Sequence, residues 1–320
     1  MTIGIAISGP SAGLAAFQAL RAVDSVGRGA IGGFVSLTVV DANGELAFEG
    51  AQRGGASGLC GGAGLPRRLA EAPLAALMSS GPDRPEPLSQ FAVGDPRAGL
   101  LTGHRFPNMP CAGGRSLYEV ALDCLDAGAS PEEAVAEALA LDPTADAGLI
   151  AMNVAGDIAL GNTEAVAQRD DIGEALTKDE QSGLRIGVLH NSVFPHRALA
   201  ALAVSAAIDA VAPGDRIDGE ASVIGLPLKQ GDYRHLVVDD TGKPLAIIVP
   251  DEGCFDKHWE GAAVRRGDPV HVNGAAVGYV TYEVYTVAHD GHIVGGRGGE
   301  RVGWRMDRKA RTPRANLEAE

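Results

Sequence analysis

Short apolar runs broken by Gly, Asn and Asp dominate the chain, and helical periodicity is confined to a few stretches. Ile3 to Ser8 reads IGIAIS, an apolar strand. After Gly-Pro-Ser comes AGLAAFQALRAVDSV, in which Leu14, Phe17, Leu20 and Val23 recur at helical spacing. The stretch GRGAIGGFVSLTVVDANGELAF, Gly27 to Phe48, predicts a β-hairpin about an Asp-Ala-Asn-Gly turn. Its first strand is apolar on both faces, so cover is expected above and below the sheet. From Gly54 to Pro110 the chain is rich in Gly and Pro and nearly aperiodic. Long loops over a pocket are expected there, with one short helix near Leu69 to Met78.

A helix pair follows, SLYEVALDCLDAG and SPEEAVAEALAL, the second opened by Ser130 as N-cap, Pro131 at its first position and Glu133 completing a capping box. GLIAMNVAGDIALGNT, Gly148 to Thr163, predicts a second hairpin of matching length. LRIGVLHNSV is read as a strand from Leu184, leading into an Ala-rich helix from about His196 to Val211 that Pro213-Gly214-Asp215 ends. Two hairpins flanking a helix pair point to a two-layer sheet covered by helices. Beyond Arg216 the pattern turns to short strands with Asn273-Gly274 and Asp290-Gly291 as hairpin turns. The expected organisation is a domain over residues 1–212, a small β-rich domain over 213–305 and a charged tail over 306–320.

Composition changes this picture at a few points. At 320 residues and 45 % hydrophobic content the chain can bury a sizeable core, and 44 Gly with 4 % aromatics predict close backbone approaches among small aliphatic residues. A net charge of −14 argues against nucleic acid as a partner. The exception is Arg297 to Arg314, with seven basic and two acidic residues, read as a solvated segment lying on the acidic body of its own or a neighbouring subunit. A homo-oligomer suits the small apolar surfaces and acidic body. No basic leader region or run of eighteen apolar residues is evident, which predicts a soluble cytoplasmic protein acting on a small molecule, with no membrane partner.

The four cysteines form no Cys-x-x-Cys pair and are expected reduced. Cys60 in GLCGGAG and Cys111 in MPCAGG sit in Gly-rich surroundings where His104 or Arg115 could activate a thiolate; Cys124 falls on an apolar helix face and reads as core. His190 and His196, with Asp251, Glu252 or His258, could hold a metal, but the spacing specifies no site, so neither metal nor cofactor is assigned. His190, beside Asn191 and Ser192, could equally orient a substrate.

The run GLIAMNVAGDIALGNTEAVAQR resembles the closing strands of plant-type asparaginases and isoaspartyl peptidases, and CLDAGASPEEAVAEAL is similar to the helix before those strands in that family and related N-terminal-nucleophile hydrolases. GRGAIGG and DANGELAF are similar to that family's nucleophile hairpin. The resemblance implies an α+β fold, a four-layer αββα sandwich, here with a β-rich C-terminal extension, and assigns Asn162 and Thr163 to substrate binding. It also implies amide cleavage by a residue at a free N-terminus, whose own α-amine, with a pKa near 8, takes the proton. Ala30 and its neighbours hold that hairpin position and offer no nucleophile. Removal of Met1 would instead expose Thr2 at the start of the first strand. Gly54-Gly55 and Gly61-Gly62 could supply N–H groups to an oxyanion. The readings left open are an amidohydrolase using Thr2, a catalytically silent binding or assembly module, and a thiol or metal hydrolase using Cys60, Cys111 or the histidines.

Overall fold

The computed structural model describes residues 1–27, 30–111, 113–193, 196–212, 216–297 and 300–307, and divides into two compact units, Met1–Ala212 and Pro213–Glu320. The Pro213-Gly214-Asp215 stop and the basic residues beyond Asp307 lie outside the described residues.

The first unit opens with β1 (Thr2–Ser8), buried along its whole length, and α1 (Ala12–Val26). The hairpin β2 (Val35–Val40) and β3 (Leu46–Ala51) forms where the pattern predicts it. Its turn closes because the Asp41 carboxylate accepts the N–H groups of Asn43 and Glu45 while Gly44 takes φ +78°. Two single-turn helices, α2 (Gly55–Gly58) and α3 (Arg67–Ala70), lead to β4 (Leu74–Ser80). The helix expected near Leu69 to Met78 is thus one helical turn followed by a strand. A short apolar run fits either state, and β4 is fixed by antiparallel partners on both sides, β1 and β2.

The segment expected to be irregular carries two more strands, β5 (Val93–Asp95) and β6 (Gly99–Arg105). Helices α4 (Leu117–Asp126) and α5 (Pro131–Leu141) follow, each opened by a complete capping box, Ser116 with Glu119 and Ser130 with Glu133. The second hairpin is β7 (Ala147–Asn153) and β8 (Ile158–Asn162). It is followed by α6 (Glu164–Ala167), β9 (Ile172–Asp179), β10 (Leu184–Asn191) and α7 (His196–Val211).

These strands make an antiparallel six-stranded sheet, ordered β3-β2-β4-β1-β10-β9, and a four-stranded sheet, β5-β6-β7-β8. Helices α1 and α7 pack together and on the first sheet, and α4 and α5 pack on the second. Between the sheets lie Ala6, Leu100, Ile150, Met152, Ile158 and Leu189.

Among its described residues the second unit has ten strands: β11 (Arg216–Ser222), β12 (Leu228–Gln230), β13 (His235–Val238), β14 (Pro244–Val249), β15 (Trp259–Val264), β16 (Pro269–Val272), β17 (Ala275–Tyr282), β18 (Val284–His289), β19 (His292–Arg297) and β20 (Arg301–Asp307). They form a seven-stranded and a three-stranded sheet around Val223, Ile247, Val270, Val280 and Trp304. Asn273-Gly274 and Asp290-Gly291 turn with positive φ at both residues, as two-residue hairpin turns require. Residues 301–307, part of the expected basic tail, are strand β20, where Arg301 pairs with Glu220 and Arg305 with Asp218.

The expected fold class, a four-layer αββα sandwich with a β-rich extension, is corrected by this architecture. Strand makes up 41 % and helix 25 %, so the chain is mostly β, built of several antiparallel sheets. The difference arises where β4, β5 and β6 form in a segment read as helix and loop and β9 in one with no predicted element, and where ten strands follow residue 213 among the described residues. Among the described residues no helix is long and apolar enough to cross a membrane.

One buried carboxyl ties α1 to the loop after β3. Asp24 accepts the Ala56 N–H at 2.9 Å, and Gly55, at φ +49°, lies so close that a β-carbon there would overlap the carboxylate. Burial pushes the Asp24 pKa up to about 6, against the opposing pull of that N–H. The unfolded value is lower, about 3.9. The carboxyl therefore supports the fold fully below about pH 4, and that support is lost as pH rises through about 6. Asp24→Asn, which keeps an oxygen for Ala56, is expected to match wild type near pH 4 and to gain about 2 kcal/mol over it at pH 7.5, read by urea unfolding at both pH values.

Candidate active site

Thr2 is the first residue of β1, which runs between β4 and β10. Its cross-strand partners are Ser80 and Asn191, so the three side chains share the face turned toward the four-stranded sheet. Thr2 is 1 % exposed, and its hydroxyl oxygen accepts a hydrogen bond from Arg84 Nη2 at 3.2 Å. Arg84 Nε donates to Ser80 Oγ at 3.1 Å. The guanidinium stands 5.2 Å from the Phe106 ring centre and 5.8 Å from that of Phe91, and among the described residues no carboxylate pairs with it. Burial draws its pKa below the usual arginine value. A cation with its charge held mainly by hydroxyls and ring faces thus sits on the Thr2 oxygen.

From the facing sheet, β6 brings His104, fully buried. Its Nε2 lies 2.6 Å from Asn162 Oδ1 and its Nδ1 3.2 Å from Asn191 Oδ1. Burial lowers the His104 pKa, so the ring is neutral and has one N–H for two neighbours. Asn191 Nδ2 donates to Ser192 Oγ at 3.1 Å, which keeps its Oδ1 toward the ring. The shorter contact is the one between Nε2 and Asn162 Oδ1. Room for this contact comes from Gly148, where a β-carbon would overlap the ring and the Asn162 amide.

Charge rings the N-terminus. Arg105 forms a two-pronged pair with Asp146, and Arg169 another with Asp171 at 2.7 and 2.5 Å. Asp171 also takes the Ser192 hydroxyl, and its carbonyl accepts the Ser192 N–H at 2.7 Å. The terminal amine is held below its ordinary value, first by burial and then by Arg105 and Arg84, with Asp171 opposing. Near neutral pH more of it is therefore uncharged and able to accept a proton.

Thr2 is the cross-strand partner of Asn191, which with Asn162 holds His104, whereas the other sequence candidates lie elsewhere. His190 is fully buried and pairs with Ile3, so its side chain lies on the opposite face of the sheet from Thr2. Cys60, at φ +52° in a tight turn, is pushed up by burial and then by Glu49; Cys111 is pushed up by burial and then by Asp142. Both shifts work against a thiolate. His104 is held by the two asparagines, and Arg115 by the Glu119 carbonyl and Asp123.

The Gly55 N–H goes to the Gly33 carbonyl at 2.9 Å, Gly54 caps α2, and Gly61 and Gly62 turn the chain at φ +65° and +83°. The Thr163 hydroxyl donates to the Ala145 carbonyl at 2.6 Å and anchors α6. Among the described residues no three His, Cys, Asp or Glu side chains gather as metal ligands. Ser80, Arg84 and Asn191 went unread in the sequence, and His104 was read only as a thiol partner. A lone arginine among prolines, Arg84 in GPDRPEP, was a local signal.

A cleft of about 650 Å³ opens at the far end of β1, lined by Ser8, Asp41, Gly156, Lys178 and Arg185. The Ser8 hydroxyl there is used by the Gly156 carbonyl at 2.6 Å, and the seven-residue strand separates that cleft from Thr2 by about 20 Å.

Residues 2–220 match the family described as Domain of unknown function (DUF6963), and the chain belongs to that family. Residues 225–301 match a second, Domain of unknown function (DUF7259). No curated protein matches. Among solved structures, the crystal structure of a DUF1028 protein from Silicibacter pomeroyi is 18 % identical over 55 % of this chain and 70 % of that one, with a TM-score of 0.30. So slight a likeness carries no inference about the site. The family shown is one of unknown function; these matches include no N-terminal-nucleophile hydrolase family.

The His104 network makes a stability prediction. Gly148→Ala should cost about 1–3 kcal/mol by displacing the ring. His104→Ala should cost a similar amount by stranding two buried amides. The double variant should lose clearly less than the sum, because the clash and the ring disappear together. Urea unfolding of the three variants reads the coupling.

Proposed function

We propose that this protein is an amide hydrolase in which loss of Met1 leaves Thr2 as an N-terminal nucleophile acting on a small amide or peptide-like substrate. The observation that carries the reading is Thr2 at the head of a central strand, 1 % exposed, with the Arg84 guanidinium on its hydroxyl oxygen. With Met1 gone, the amine belongs to Thr2. It takes the hydroxyl proton as Oγ1 attacks the substrate carbonyl, and returns that proton to the departing nitrogen. Water then hydrolyses the ester on Thr2 and regenerates the hydroxyl. Arg84 stabilises the alkoxide and the tetrahedral oxyanion from its place beside Oγ1. Asn191, oriented by His104 and partnered with Thr2 across the strands, sets the polar wall against which the substrate amide docks.

The raised Cys60 and Cys111 pKa values weigh against the thiol alternative. Intact mass of the purified protein comes first, and loss of Met1 is expected; retained Met1 would overturn the proposal. On a panel of small amides and dipeptides, Thr2→Ala should lower turnover by at least roughly a thousandfold with the fold retained, and Thr2→Ser should keep part of it. Iodoacetamide should leave turnover unchanged. Absence of turnover with Met1 removed, together with saturable thermal stabilisation by a ligand, would make the protein a binding module instead.

A further inference from the structure

The second unit carries a side-chain group that the Thr2 site does not use. In the three-stranded sheet β15-β18-β19, Trp259 pairs with Ala288 and Glu260 with Val287, so His258, one residue earlier, stands across from His289. Ala288 is fully buried and Trp259 packs on the core, which turns their neighbours His258, Glu260 and His289 to the outer face. His292 pairs with His289 across the Asp290-Gly291 turn and extends the row to three histidines.

Within this row His258 Nδ1 lies 3.1 Å from His289 Nε2, with the rings at 74° to each other. Two imidazole nitrogens bound side by side to one ion, each about 2.0–2.1 Å from it, stand about 3.0–3.4 Å apart. The pair already has that separation.

The proton arrangement suits a metal as well. Glu260 Oε1 is 3.3 Å from His258 Nε2, so the carboxylate holds the His258 proton on Nε2 and leaves a lone pair on Nδ1, aimed at His289. Without metal, His289 Nε2–H donates to that Nδ1; an ion replaces this proton, the His289 proton moving to Nδ1 so that both nitrogens face the ion. A carboxylate behind a ligating histidine is the usual outer-shell arrangement at metal sites. Paired imidazoles favour zinc, copper and nickel over magnesium and calcium.

We propose that His258 and His289 chelate a divalent transition-metal ion on the outer face of this sheet, with Glu260 as the positioning residue for His258 and water completing the shell. The ion bridges the segment leading into β15 to the end of β18 and holds those two strands in register.

Zinc chloride titrated into the full chain, stripped of metal by a chelator, tests this by calorimetry and by thermal unfolding. One ion per chain and a rise in melting temperature are expected, with no response to magnesium. His258→Ala and His289→Gln should each weaken zinc binding at least about tenfold while melting like wild type without zinc, and Glu260→Gln should weaken it by a smaller factor. Absence of saturable zinc binding, or equal binding by wild type and both histidine variants, would overturn the proposal.

Discussion

The contact of backbone on backbone between the two sheets of the first unit sets the geometry of everything near Thr2. A β-carbon on Gly4 would overlap the carbonyl of Gly103, and one on Gly103 would overlap that of Gly148. Gly4 and Gly103 therefore let β1 approach β6 across the gap more closely than aliphatic packing allows, while Gly103 and Gly148 lie on neighbouring strands of one sheet. At that separation polar groups cross the gap directly. The Thr102 hydroxyl reaches the Leu77 carbonyl at 2.8 Å, and His104 spans from Asn162 on one sheet to Asn191 on the other. Larger residues at those positions would part the sheets and leave these buried groups unpaired, a loss of about 1–3 kcal/mol for each.

The same economy of space explains the electrostatics at the N-terminus. Arg105 and Arg169 each have a carboxylate, whereas Arg84 has hydroxyls and aromatic faces, so the local balance is positive where the Thr2 oxygen sits. A half-buried guanidinium that no carboxylate among the described residues pairs with is an uncommon arrangement in an acidic protein. It is tolerable because aromatic faces and oriented oxygens replace part of the lost hydration. The Met1 amine loses basicity first through burial and then through Arg105 and Arg84.

Much of the local structure was legible because its signals are local. The Asp41 turn, the capping boxes at Ser116 and Ser130, and the positive-φ pairs Asn273-Gly274 and Asp290-Gly291 are each specified within five residues of chain. Strands β4 and β6 were not legible, since Leu74–Ser80 and Gly99–Arg105 become strands only through neighbours distant in sequence. The predominance of β structure went unseen for that reason. At the site, Thr2 could be read from its place behind Met1. Arg84, His104 and Asn191 could not, because they come from a proline-rich loop and two strands that meet only after both sheets form. The asparaginase-like run contributed Asn162 to the network, whereas Thr163, its neighbour in the same motif, turned out to anchor a helix.

The glycine contact also dictates how anything can reach Thr2. Two residues along β1 from the hydroxyl, the strand already touches the opposite sheet, so no channel runs inward beside it. On the proposed reading of Thr2 as nucleophile, a substrate would come along the axis of the strand, tip first. The shape and polarity of that tip, rather than the length of chain behind it, would then decide which substrates fit.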